Sequence, residues 1–140
     1  MELKKGISSG IVAGIVFTII NFVFGFVPGT SEWYASVFPQ MATPESMAFM
    51  LASTFLVGLF MGIFYPIVNS ALSGGRVKKG VKYGLMVWLL TGLMWPLMMM
   101  GFASAYLWVT ELVKGIVDYS ITGAVVAVIC SRKGKQQVVE

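Results

Sequence analysis

The feature that most limits what this chain can fold into is its set of apolar stretches, each as long as a lipid bilayer is thick. A helical span needs about 20 apolar residues to cross about 30 Å of hydrocarbon. Four stretches meet that length, at residues 6–27, 45–72, 80–102 and 105–130 of a 140-residue chain. With 57% hydrophobic and 11% charged residues and a mean hydropathy of +0.83, too few polar groups remain to cover a soluble globule. The expected fold is all-α and a single domain over residues 1–140. It is a polytopic membrane protein, a four-helix transmembrane bundle.

Charge placement orients such a bundle. Nine of the ten bases lie at the N-terminus (Lys4, Lys5), at the second connection and the helix start that follows it (Arg76, Lys78, Lys79, Lys82), or in the tail (Arg132, Lys133, Lys135). Four spans put those three places on one side, whereas the other loops carry Glu32 and Glu45 and no base. The positive-inside rule then assigns the basic side to the cytoplasm. The expected location is the plasma (inner) membrane, multi-pass, with both termini cytoplasmic. The net charge of +4 sits at the ends of apolar runs, so it indicates a membrane surface and not nucleic acid. The rival reading of the first stretch, a cleaved signal peptide behind Lys4 and Lys5, is disfavoured. Its apolar run over 7–27 exceeds a signal core and no A-x-A-like site follows it.

Thr43-Pro44-Glu45 has the order that a helix start prefers: capping hydroxyl, first-turn proline, acid. Ser31-Glu32-Trp33-Tyr34 begins either a short interfacial helix or an irregular loop anchored by Trp33, Tyr34 and Phe38. Pro96 removes a backbone donor and should bend or loosen the third helix, and Pro66 the second.

Helical spacing aligns Gly10, Gly14, Thr18, Asn21 and Gly25 on the first helix, with Gly6 extending the small-residue series, and Thr54, Gly58, Gly62, Tyr65 and Asn69 on the second. Gly84, Trp88, Thr91 and Trp95 share a face of the third. In lipid no hydrophobic force drives helices together, so small and polar stripes are the expected contact surfaces, with Gly6, Gly10, Gly14, Gly58, Gly62, Gly80 and Gly84 permitting close approach. Lys4-Lys5-Gly6-Ile7-Ser8-Ser9-Gly10-Ile11 is echoed 74 residues later by Lys78-Lys79-Gly80-Val81-Lys82-Tyr83-Gly84-Leu85. A weaker echo relates residues 54–58 to 119–123, so the chain is either a duplicated helical hairpin or a coincidence of small residues at helix starts. Met98-Met99-Met100 reads as packing filler before it reads as an apolar ligand site.

One stripe is chemically unusual. Glu111, Lys114 and Asp118 lie at i, i+3 and i+7 of the fourth helix, beside Gly115 and Thr122, and ionisable groups within a span face the interior and mark a functional site by default. With Arg132 at the inner surface, Asp118 lies about 21 Å outward, Lys114 about 27 Å and Glu111 about 31 Å. Glu111 is then interfacial, Lys114 can snorkel, and Asp118 is the embedded charge. Its expected partners are Lys114, one turn away, and Asn21, about 24 Å outward from Lys5 on the first helix. The stripe is either a polar clasp between helices or a proton or cation site; the clasp is favoured.

One cysteine, Cys130, and no histidine remove the ligand sets of haem, copper, zinc and non-haem iron and any internal disulfide, so no metal or cofactor is expected. No nucleophile–base pair or phosphate loop is present, so an enzyme is not expected. The sequence fits a non-enzymatic bundle that self-associates or serves as an accessory subunit of a membrane complex. The alternative is a small proton- or cation-coupled transporter using Asp118 with Glu111. The expected partners are the bilayer and a homo-oligomer or larger complex. The architecture is superficially similar to small multidrug transporters and to glutathione-using membrane enzymes. It lacks the first-helix carboxylate of the former and the arginine-rich interior of the latter. Lys-Lys-Gly starts, a Gly-rich basic central turn and Gly84-Leu85-Met86-Val87-Trp88-Leu89-Leu90 resemble a loose group of uncharacterised small four-span prokaryotic membrane proteins. That resemblance implies no activity.

Overall fold

In the computed structural model, which describes residues 2–131, every regular element is helical among the described residues. The tail bases Arg132, Lys133 and Lys135 lie outside them. Helix α1 runs Glu2–Phe24, α2 Thr30–Val37, α3 Pro44–Val68, α4 Arg76–Val87, α5 Met94–Met99 and α6 Ala105–Cys130. Among the described residues, three helices are long and apolar enough to cross a membrane: Leu3–Phe24, Pro44–Ala71 (α3 with a 3-10 turn, Asn69–Ala71) and Ala105–Cys130. Their mean hydropathies are 2.2, 2.1 and 1.7.

Residues 80–102 are not one uninterrupted helix. A π segment, Trp88–Gly92, separates α4 from α5. The expected loosening therefore sits before Pro96. Proline has no N–H and its ring crowds the carbonyl four residues back, here that of Gly92. The preceding turn widens, and the Leu93 N–H reaches back five residues to the Trp88 carbonyl at 2.8 Å. Pro66, by contrast, is carried inside α3, which continues to Val68.

The remaining ends follow local chemistry. The Thr43 hydroxyl accepts from the Ser46 N–H ahead of Pro44, and Glu45 lies in the first turn of α3. Residues 31–34 belong to helix α2, entered through Gly29 at φ 81°, a backbone region where a side chain is strained.

The glycine stripes determine which helices meet. In α1 and α3, which run antiparallel, a Cβ on Gly62 would fall on the Gly10 backbone and the Gly6 carbonyl, and one on Gly14 would sit 2.6 Å from the Phe55 carbonyl. In α4 and α6 a Cβ on Gly123 would fall on the Gly84 backbone and the Gly80 carbonyl. Gly62 and Gly123 thus meet matching atoms of Gly6/Gly10 and Gly80/Gly84. The correspondence is one turn away from the register of the weaker echo, which pairs Gly58 with Gly123. Gly58 itself packs on Ala13 and Gly14.

Helices α1 and α6 also pack together, and α3 touches both α4 and α6. At their centre lie Ala13, Met61, Tyr65, Tyr83, Val126 and Ala127. Tyr83 bridges from α4 to α3 by donating to the Met61 carbonyl at 2.9 Å, its ring edge-on to Tyr65 at 5.2 Å. The flanks of α1 and α3 are apolar and exposed, as at Ile15, Ile19, Phe49 and Ile67. Of the methionine run only Met99 is buried.

Candidate functional site

The polar stripe of α6 faces inward. Asp118 is 1% exposed and Glu111 7%, and each carboxylate has its own surroundings.

Asn21 on α1 donates one amide hydrogen to Asp118 Oδ2 and another to its own Phe17 carbonyl at 3.0 Å. Thr122, one turn along α6, makes a long contact of 3.5 Å to Asp118 Oδ1. This joins the two residues that rise-per-residue geometry places at one depth. Beside them Phe17 meets Tyr119 edge-on at 5.0 Å, so the polar pair is flanked by aromatic surface.

Lys114 does not pair with Asp118. It bonds Glu111 instead, at 3.2 Å to Oε2, the only ion pair among the described residues. A lysine in the first half of α6 extends its chain toward that helix's N-terminal end, because side chains on a helix lean toward the N-terminus.

Glu111, which depth along the helix places at the interface, is covered by protein. Helix α2 folds over it. The Trp95 Nε1–H donates to the Tyr34 hydroxyl at 2.9 Å, with the two rings stacked. Trp33 stacks on Phe102, and Phe38 lies against Trp33, Tyr34 and Trp95. Burial pushes the Tyr34 phenol well above its ordinary value, and the nearby Glu111 carboxylate raises it further, so Tyr34 stays a neutral donor. The α2 cap and the Tyr34–Trp95–Glu111 group were not legible as a unit. The one available signal was the aromatic density of residues 33–38.

A second large side chain shapes the site. Trp88, inside the π segment, lays its indole on Gly115, where a Cβ would overlap Nε1, and against Gly92, where a Cβ would sit 2.7 Å from Cδ1. Gly115 on the polar stripe is therefore a seat for an aromatic ring. Gly25, the last residue of the α1 stripe, lies beyond the helix and is exposed, whereas Thr18 bonds Thr54 across α1 and α3 at 3.1 Å.

Toward the basic end the stripe is closed by Ala13, Met61, Val126 and Ala127. Beyond them Ser9 contacts the Cys130 sulfur at 3.1 Å. No cluster that could hold a metal ion occurs among the described residues. No protein-family model matches the chain, and no curated protein or solved structure is significantly similar to it.

Proposed function

We propose that the protein is a four-helix transmembrane bundle of non-enzymatic role. On this reading the fourth crossing is α4–π–α5, and both termini face the cytoplasm of a plasma (inner) membrane. The bundle self-associates or serves as an accessory subunit of a membrane complex, it is built as a duplicated hairpin, and it belongs with the small four-span prokaryotic membrane proteins. The observation that carries this reading is the engagement of Asp118, whose two oxygens meet Asn21 and Thr122 at almost no exposure. The embedded charge then serves as a clasp, and the outward apolar faces are left to meet lipid or neighbouring helices. The matching surroundings of Gly62 and Gly123 support the duplication.

Reporters fused at either terminus or inserted at Gly75 are expected in the cytoplasm and one at Ser36 outside, because basic ends resist translocation. A cytoplasmic Ser36 reporter would sink the four-span topology. Mild detergent extraction should yield a homo-oligomer or a stoichiometric complex; a solitary chain that moves cations when reconstituted would favour the second reading. That reading, a proton- or cation-coupled transporter, draws on one observation: Glu111 and Asp118 are both buried on one face of α6 with Lys114 between them.

A further inference from the structure

At the basic end, Lys5, Tyr65, Pro66, Asn69 and Cys130 line a cleft of about 50 Å³ between α1, α3 and α6. The Tyr65 hydroxyl donates to Asn69 Oδ1 at 3.1 Å, which occupies the acceptor of that side chain. The Asn69 amide nitrogen and the Lys5 ammonium have no partner among the described residues. A second cation stands close by, with Lys79 Nζ donating to the Asn69 carbonyl at 3.2 Å. Among carboxylates whose side chains are described, the nearest along the chain is Asp118, about 18 Å from Cys130 by helical rise. The cleft thus collects donors and positive charge with no described anion to balance them.

We propose that this cleft binds a phosphate group, with Lys5 and the Asn69 amide as its donors and Tyr65 holding Asn69 in orientation. A cavity on this measure holds a water molecule at about 10–15 Å³, so the cleft has room for the oxygens of a phosphate group. Two sources share this chemistry: an anionic phospholipid headgroup and free phosphate. Exposed Leu3, Ile7 and Ile67 on the flanking turns offer apolar surface for acyl chains, and basic pockets between helices at a cytoplasmic face suit anionic headgroups. The lipid source rests on the membrane reading above.

The test uses the full chain in mild detergent, with native mass spectrometry reporting bound phosphatidylglycerol against phosphatidylcholine. Phosphatidylglycerol should be retained preferentially. Lys5→Gln should weaken that retention about fivefold or more, the scale of one lysine's attraction to an anionic surface, while exposed Lys4→Gln should weaken it less. If Lys5→Gln melts early, Tyr65→Phe must show the loss instead, since it frees Asn69 without removing charge. Displacement by inorganic phosphate would identify the free ion as a ligand; persistence of the lipid in its presence would identify the headgroup. Equal retention of both lipids together with no phosphate binding, or equal losses in the two lysine variants, would overturn the site. Release of the chain from membranes by alkaline wash would instead overturn the membrane reading alone.

Discussion

Gly62→Leu should destabilise the protein strongly. A Cβ at Gly62 falls on Gly10 and Gly6, and the three nearest atoms it meets are backbone. No flexible side chain can move aside, so the two helices must separate. Overpacking typically costs about 1–3 kcal/mol, and the expected value here is the upper end, about 3 kcal/mol or more, because separation also loosens Gly58 from Gly14. Ile67→Leu is the control. At 71% exposure it should change stability by less than about 0.5 kcal/mol. Thermal unfolding in detergent measures both, and equal melting temperatures would mean that the α1–α3 contact is not tight in the membrane.

The second large effect is expected at Asp118, where two substitutions separate the clasp from a transport site. Asp118→Asn keeps size and hydrogen-bonding capacity and removes charge. A clasp should tolerate it, with Asn21 still bonded. Asp118→Leu strips Asn21 and Thr122 of their shared partner, and a buried unsatisfied polar group costs about 1–3 kcal/mol. Polar contacts between membrane helices average nearer 0.6 kcal/mol, since the separated helices also find partners, so a loss of about 1–2 kcal/mol is expected. Detergent stability is read beside pH-gradient-driven cation uptake by reconstituted protein. A stable Asn variant, with no uptake by the unsubstituted protein, supports the clasp. Normal stability with uptake abolished would overturn it in favour of transport. An unstable Asn variant would show that the carboxylate charge itself holds the bundle.

Much of this arrangement is legible in the chain because it depends on spacing alone. Periodicity locates α1, α3 and α6. Small residues at every fourth position mark where backbones meet, and equal rise from the basic ends brings Asn21 level with Asp118 before any contact is known. What escapes spacing is decided by neighbours remote in sequence. The choice of Lys114 between Glu111 and Asp118 depends on side-chain lean and on the bond Asn21 has already made. The burial of Glu111 depends on α2, a segment short enough to read equally as loop. The break in the third stretch required Pro96 to act through the turn before it, with Gly92 and Gly115 making room for Trp88.

That widened turn also has a consequence for phase. A π segment accommodates one residue more than the α-helix would, and each α-helical residue advances about 100° around the axis. Everything after Trp88–Gly92 is therefore rotated by about that angle against the preceding turns. Gly84 and Trp88 look toward α6, whereas Trp95, seven residues after Trp88 and in register with it on a regular helix, is brought under Tyr34. At the basic end, Gly62 and Gly123 see matching partners. Farther along that likeness is lost: the position 74 residues after Gly14 is Trp88, a large ring in place of a glycine. The likeness of Gly62 and Gly123 is thus confined to the basic end, and the opposite end is the one that carries the aromatic cap and the Glu111–Lys114 pair.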